Sequence, residues 1–153
     1  MGSDLKYIML THGHADHIMG VEGFISDFPE VRVVANINEK EMLGDKNFNF
    51  SLQFGGPTEI DADIYVDDDD EMQVGNLSLK FFFTPGHSPG GMCIYIPEEN
   101  TLFSGDTLFY ASIGRTDFPG SSFEALKNAI HTKLWPLPDE TSVGFEKENN
   151  PFV

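Results

Sequence analysis

Near the start of the sequence, four side chains that can bind a metal ion lie within six residues: His12, His14, Asp16 and His17. Imidazole nitrogens and carboxylate oxygens are common protein ligands of zinc and related divalent ions. Alternate residues of an extended segment point the same way, so His12 and His14 can bind one ion. Asp16 and His17 follow a turn of the chain and would face a second position. The spacing therefore predicts a metal site.

Two later segments could complete this site, because each places a metal-binding side chain in a loop that follows an apolar strand. His87 lies in the segment 84–91, which is rich in Pro and Gly, and Asp106 follows Ser104 and Gly105. Taken alone, either segment could be an ordinary turn. Together with the first motif, they supply two sets of ligands.

Hydrophobic patterns predict the elements that must position these side chains. Residues 5–10 are predicted to form a strand that runs directly into the first motif. Apolar residues at helical spacing predict a helix over 17–28, with Asp16 placed to cap it. A short strand at 31–35 and a brief helix at 38–43 follow, which gives the chain a βαβα beginning.

The remainder of the sequence is predicted to consist mainly of strands. Residues 44–60 form a long predicted loop, typical of a binding rim or lid, although its three Phe side chains could instead cover the core. Neither a repeat nor a linker divides the sequence, so we predict a single domain over residues 1–153. Further strands are predicted at 64–66, 72–74, 77–83, 92–96 and 101–104, and a helix between 121 and 134.

The order of these motifs resembles the metallo-β-lactamase-fold hydrolases, and specifically their short glyoxalase-II-like, or hydroxyacylglutathione hydrolase-like, branch. The resemblance extends from about residue 5 to residue 138, and segments 114–118 and 144–152 are also typical of that branch. It implies an α/β (α+β) fold, an αββα sandwich. The motifs that carry it are Thr-His-Gly-His-Ala-Asp-His from Thr11, Thr-Pro-Gly-His-Ser-Pro-Gly-Gly from Thr84, and Phe-Ser-Gly-Asp-Thr-Leu-Phe from Phe103.

The resemblance also implies a ligand set and a reaction. Two zinc ions are expected, although iron or manganese would suit the same side chains. A metal-bound hydroxide would attack a thioester such as an acylated glutathione, and Asp16 could orient that hydroxide as a catalytic residue. By this resemblance His12, His14 and His87 hold the first ion, Asp16 and His17 the second, and Asp106 bridges the two.

The sequence departs from the family pattern in two places. The family has further strands ahead of the metal motif, whereas here the motif begins at residue 11, so we expect a sandwich that is incomplete at its N-terminus. The family also places a last metal-binding His before the segment that begins at Gly144, and residues 137–143 contain none. We therefore expect a weakened second site and impaired catalysis, unless another copy of the chain supplies the ligand.

Two alternatives to a thioester hydrolase stay open. Persulfide dioxygenases share the fold and a Gly-Arg-Thr-Asp stretch like residues 114–117, but use one iron held by two His and one Asp. In that stretch Arg115 could contact an anionic substrate or could be an ordinary ion-paired surface residue. The other alternative is a non-catalytic, self-associating fragment of the fold. Whichever function is correct, we expect a homo-oligomer.

Composition excludes several other function classes. The sequence has 25 acidic and 9 basic residues, a net charge of −16, and the basic residues are scattered, which argues against binding to nucleic acid. It has no apolar stretch near the roughly 18 residues of a membrane span, and its first residues do not resemble a signal peptide. We therefore predict a cytoplasmic protein that does not act at a membrane. The single cysteine, Cys93, is predicted to be a small core residue.

Overall fold

Two β-sheets stacked between helices form the centre of the molecule in a computed structural model, which describes residues 5–141 and 143–153. The first sheet has three parallel strands in the order β1-β2-β3: Tyr7–Met9, Arg32–Asn36 and Ile64–Val66. Parallel neighbours need crossover connections, and helices supply part of them here. The predicted βαβα beginning is therefore confirmed.

The second sheet is antiparallel and has the order β4-β5-β6-β7. Its strands are Glu71–Val74, Leu77–Phe83, Met92–Ile96 and Thr101–Phe103, close to the bounds expected from the sequence. A short hairpin follows, with β8 and β9 paired antiparallel, and the sequence patterns did not predict it. Its two strands are Leu108–Phe109 and Ser112–Ile113.

Five α-helices cover the outer faces of the two sheets in the described part of the chain. A π-helical segment, Ile130–Leu134, continues the fourth of them. The predicted loop at 44–60 contains only turns and bends. The described helices include none long and apolar enough to span a membrane. The helices are α1 Ala15–Ile18, α2 Val21–Asp27, α3 Lys40–Leu43, α4 Phe123–Ala129 and α5 Val143–Asn149.

Three hydrophobic clusters separate these layers, and alternate residues of a strand belong to different clusters. In β2, Val33 and Ala35 pack with Ile18 of α1, whereas Val34 packs with the second sheet. In β6, Cys93 packs with α4, whereas Ile94 faces the first sheet. This alternation produces four layers, helix, sheet, sheet and helix. Cys93 is fully buried, and burial raises the pKa of its thiol to about 11, so the predicted core role is confirmed.

The first helical region differs from its prediction. Two short helices replace the continuous helix expected over 17–28, and Gly20 stands at the N-cap of the second. Asp16 is not the cap that we expected, because α1 already begins at Ala15 and His14 occupies the N-cap position in an extended conformation. Asp16 instead lies in the first turn, where a carboxylate still interacts favourably with the helix dipole.

Candidate metal centre

Loops at one end of the two sheets bring the expected metal-binding residues together. The chain leaves β1 with Leu10 still hydrogen-bonded to Val34, and the carbonyl of Thr11 accepts a hydrogen bond from the backbone of Met92 at the start of β6. This second bond joins the first motif to the other sheet. His87 follows β5 and Asp106 follows β7, so both arrive at the same edge.

Three of the expected ligands form a buried cluster of imidazoles. One ring nitrogen from each of His12, His14 and His87 can be chosen so that all three lie within 4.8 Å of one another. The three ring centroids are 4.7–4.9 Å apart, and His14 Nδ1 lies 2.9 Å from His87 Nε2. Such convergence is typical of a three-histidine metal site.

A second group lies next to the first and shares one histidine with it. His12, His17 and Asp106 also offer ligand atoms within 4.8 Å of one another. The two carboxylate oxygens of Asp106 face different histidines, one 3.3 Å from His17 Nε2 and the other 3.4 Å from His87 Nε2. Asp106 therefore lies between the two groups, the position that a bridging carboxylate would occupy.

Asp16 and Arg115 lie at the margin of this arrangement. The Asp16 side chain is 74% exposed, with one oxygen 3.7 Å from His17 Nε2, and it does not join either group of converging ligand atoms. Arg115 forms two hydrogen bonds of 2.7 and 2.8 Å to Asp117 and stacks 4.2 Å from the ring of Phe118. The proposed roles of Asp16 as ligand and catalytic residue, and of Arg115 as a substrate contact, stay predictions.

Burial keeps the central imidazoles neutral. Desolvation, followed by repulsion from neighbouring histidines, lowers the pKa of His12 to about 2, and burial lowers that of His14 to about 4. The hydrogen bond to Asp106 raises the pKa of His17, and the same bond lowers the pKa of Asp106. His12 and His14 therefore present uncharged nitrogens beside the ionised carboxylate of Asp106, the forms in which these side chains bind metals.

The backbone around residue 115 fixes the orientation of His87. The carbonyl of Arg115 lies 2.8 Å from His87 Nδ1 and can only accept, so Nδ1 carries the proton and Nε2 presents its lone pair to the cluster. Gly114 makes this approach possible. A Cβ atom at Gly114 would lie 1.7 Å from the carbonyl oxygen of Asp106 and 3.2 Å from the Cβ of His87.

Sequence reasoning missed one buried acid that touches two of the ligand loops. Glu39 is 1% exposed, and its carboxylate accepts hydrogen bonds from the backbone N–H groups of Gly13 and Gly90. Gly13 separates His12 from His14, whereas Gly90 belongs to the loop of His87. No pattern in the sequence indicates this contact, because both partners of the carboxylate are backbone groups.

A cleft of about 320 Å³ opens on the cluster. Two half-buried aromatic side chains form one wall: Phe50 from the 44–60 loop and Phe118 lie 5.0 Å apart, and both approach the ring of His14. Phe54 and Arg115 border the opening. The loop is fixed to the site through a hydrogen bond from the Ala15 backbone to the Asn49 carbonyl, so the expectation of a binding rim agrees with its position.

Two ring nitrogens of the cluster have no hydrogen-bond partner in the described part of the chain, and this suits the cluster to a metal ion. His12 Nε2 and His14 Nε2 are buried and have no hydrogen-bond partner among the residues that the structure describes. A buried polar atom without a partner destabilises a fold by about 1–3 kcal/mol. Two such atoms in one cluster of imidazoles favour a ligand-binding role over an ordinary packing arrangement.

Comparison with known proteins agrees with this geometry. A sequence model of the metallo-β-lactamase superfamily matches residues 1–144. A probable metallo-hydrolase, YqgX of Bacillus subtilis, is 38% identical over 95% of this chain and 74% of its own length. Hydroxyacylglutathione hydrolase GloC of Haemophilus influenzae is 34% identical over 98% of this chain and 76% of its own. Bovine persulfide dioxygenase ETHE1 is 30% identical, over 90% of this chain and 47% of its own.

Solved structures extend the comparison to the fold. The crystal structure of BLEG-1, described as a B3 metallo-β-lactamase, superimposes with a TM-score of 0.88 at 36% identity, over 96% of this chain and 76% of that one. TTHA1623 in a di-iron-bound form gives a TM-score of 0.78 at 28% identity, over 97% and 77% of the two chains. The expected fold class is thereby confirmed.

Proposed function

The chain belongs to the metallo-β-lactamase superfamily, and on that premise we propose that it hydrolyses a thioester of the acylated glutathione type with the help of bound metal. The observation that carries the proposal is the cluster of His12, His14 and His87, whose ring nitrogens converge within 4.8 Å, with burial lowering the pKa values of His12 and His14. The resemblance to hydroxyacylglutathione hydrolase GloC supports the substrate class.

The proposed metal ligands fall into two sets of unequal strength. We propose that His12, His14 and His87 hold one ion, and that His17 and Asp106 hold a second, with Asp16 able to join them by a change of rotamer. A divalent ion supplies Lewis acidity and lowers the pKa of a coordinated water. Zinc suits this donor set, and iron or manganese would also fit. The second set has fewer buried donors, so we expect weaker binding there and reduced activity.

The cleft can bind a substrate that has an apolar group and an anionic tail. The rings of Phe50 and Phe118 offer an apolar wall beside His14, where an acyl group would lie. Arg115 at the opening can pair with a carboxylate, although its bidentate pair with Asp117 competes for the guanidinium. Asp16 is near enough to the cluster to orient an attacking water.

The second candidate is an iron-dependent persulfide dioxygenase. The resemblance to bovine ETHE1 over 90% of this chain favours it, and so does the Gly-Arg-Thr-Asp stretch at 114–117. The two reactions differ in their chemistry, because dioxygenation consumes oxygen and thioester hydrolysis does not. Bound metal and oxygen uptake therefore separate them.

The test measures metal content and turnover on the same purified protein. Metal per chain is determined by elemental analysis, and hydrolysis is followed with an S-acyl glutathione, a β-lactam and, with an oxygen electrode, a glutathione persulfide. His87→Ala removes a proposed ligand. His131→Ala is its matched control, because His131 is exposed and its ring lies edge-on to that of Trp135, outside the metal-binding cluster.

We expect thioester hydrolysis that His87→Ala reduces by at least 100-fold, together with loss of bound metal, while His131→Ala retains both. Oxygen uptake with the persulfide would favour the dioxygenase, and β-lactam hydrolysis alone would replace the thioester proposal. Metal-free, inactive protein would overturn both enzyme proposals and leave the non-catalytic alternative.

Self-association is a separate proposal. In the described part of the chain, β1 lies at an edge of the first sheet, and an apolar groove of about 470 Å³ runs beside it, lined by Tyr7, Met9 and Phe103 among others. An exposed strand edge beside apolar surface favours pairing with another copy. Light scattering at several concentrations tests this expectation, and a monomer at every concentration would contradict it.

A further inference from the structure

Glu39 is a buried acid that does not belong to any of the three hydrophobic clusters. It lies in the 3-10 turn Ile37–Glu39, which connects β2 to α3, and only 1% of its surface is exposed. A carboxylate is rarely buried unless its oxygens have partners, since removal from water costs several kcal/mol. Its partners therefore indicate what the residue does.

The carboxylate of Glu39 joins two loops that are far apart in the sequence. One oxygen accepts a hydrogen bond of 2.7 Å from the backbone N–H of Gly13, and the other accepts one of 2.5 Å from that of Gly90. Gly13 stands between His12 and His14, and Gly90 is three residues beyond His87. Each half of the three-histidine cluster is thus attached to the same side chain.

Both contacts are closely fitted, which limits what could replace this acid. A Cβ atom at Gly13 would lie 2.9 Å from Glu39 Oε2, and one at Gly90 would lie 2.4 Å from the backbone nitrogen of Glu39. The two partners are both donors, so both side-chain atoms must be acceptors. A carboxylate that accepts at both oxygens meets that requirement, whereas an amide would place its NH₂ group against one of the N–H groups.

We propose that Glu39 is a positioning residue, which holds the loop of His12 and His14 and the loop of His87 at ligand spacing before a metal ion arrives. The inference rests on the proposed three-histidine metal site. Because one side chain accepts hydrogen bonds from both loops, Glu39 can set the distance between loops that no strand pairing joins directly. A site arranged in advance binds its ion without ordering these loops at the same time.

The test compares Glu39→Gln with Glu41→Gln. Glu41 lies two residues further along, in α3, and is exposed, so its substitution removes the same charge without touching either loop. Zinc and cobalt affinities are measured by competition with a chelating dye, and the cobalt absorption spectrum reports ligand geometry. Amide hydrogen exchange of Gly13 and Gly90 is measured by NMR on the metal-free protein, alongside its thermal unfolding.

We expect Glu39→Gln to weaken metal binding by about 10- to 100-fold, as loss of a group that orients ligands does, and to alter the cobalt spectrum. At least one of the two glycine amides should exchange faster, and Glu41→Gln should match the unchanged protein in every measurement. Metal affinity and spectrum unchanged in a folded Glu39→Gln protein would overturn the proposal, as would an equal effect of Glu41→Gln.

A second variant covers the case in which Glu39→Gln does not fold. Gly13→Ala keeps the acid but forces a methyl group against its carboxylate, so metal affinity should fall in the same way, and unchanged affinity there would overturn the proposal. If the unsubstituted protein binds no metal, the metal-site proposal fails by itself. Hydrogen exchange at Gly13 and Gly90 remains a separate readout of the contact.

Discussion

Gly114 offers a sharp test of how the site is assembled, because its backbone lies directly against the backbone of Asp106, a proposed metal ligand. The residue is buried, and a Cβ built on it would lie 1.7 Å from the carbonyl oxygen of Asp106 and 2.9 Å from its carbonyl carbon. Both obstructing atoms belong to the backbone. Gly114→Ala therefore cannot be accommodated by rotation of a flexible side chain.

The size of the effect follows from this distance. Non-bonded carbon and oxygen atoms approach to about 3.5 Å, so the two segments must separate by about 2 Å. Forcing a group into a packed site costs about 1–3 kcal/mol, which in a domain of this size lowers the melting temperature by several degrees. The same shift moves Asp106 and the carbonyl that orients His87. Misplacement by about 1 Å can reduce turnover by about 100-fold.

Gly23→Ala is the matched control for this substitution. Gly23 is exposed within α2, and nothing lies within 4 Å of a Cβ built on it. Because Gly inside a helix is destabilising by about 0.5–1 kcal/mol relative to Ala, this change should stabilise the protein. The same chemical change is thus expected to have opposite signs at the two positions.

Urea unfolding of the metal-free proteins gives the free energies, and metal content with thioesterase turnover gives the functional effect. Gly114→Ala should lose stability, metal and activity together, while Gly23→Ala keeps its metal. The reasoning is refuted if Gly114→Ala retains the unfolding free energy and metal content of the unsubstituted protein, because the two backbone segments would then not be in contact.

Acid should destabilise the metal-free protein. His12 and His14 stay neutral in the fold, since their pKa values are lowered to about 2 and about 4, but become protonated near pH 6.5 when unfolded. The free energy of unfolding should then fall by about 1.4 kcal/mol per pH unit for each of them as pH drops from about 6.5 to 4. His17, whose pKa is raised, acts in the opposite direction, but only above about pH 6.5, where the folded protein binds that proton before the unfolded chain does. Urea unfolding in chelator at pH 7.5 and 5 measures this, and equal stability at both would contradict it. Asp16→Asn should change stability by less than about 0.5 kcal/mol, because the side chain is 74% exposed, yet reduce turnover by about 100-fold or more. Full activity would exclude a catalytic Asp16. Arg115→Ala should raise KM for an anionic thioester with little effect on stability, and a KM unchanged for both anionic and neutral thioesters would favour the surface ion pair with Asp117.

The sequence could predict the strands and the clustered ligand types, because both depend on local information. Alternating apolar residues indicate strands such as β6 whatever they pack against, and His12 and His14 are neighbours in space because they are neighbours in sequence. The arrival of His87 and Asp106 at the same edge followed from the motif order of a known family. Spacing alone predicted only that each follows a strand.

The parts that could not be predicted depend on contacts between distant backbones. The hydrogen bonds of Glu39 to two glycine amides and the close approach of Gly114 to Asp106 leave no periodic pattern, since a backbone partner has no residue type. The break between α1 and α2 was missed for a related reason. The apolar spacing continues through Gly20, so it does not indicate a break there. The first helix also begins at Ala15, directly after the extended His14, which is earlier than the apolar pattern predicts.

The arrangement of the site requires that stability come from elsewhere in the fold. The clustered imidazoles include buried nitrogens that have no partner among the described residues, and Glu39 is an acid removed from water. Both the unpartnered nitrogens and the desolvation of the acid cost stability. Three hydrophobic clusters on either side of and between the sheets supply the compensating stability. The strands can therefore hold the ends of the loops rigidly, although some polar atoms in those loops lack hydrogen-bond partners within the described ranges. Binding of an ion would offset that cost, so the free energy of unfolding should rise with metal concentration as RT ln(1 + [metal]/Kd).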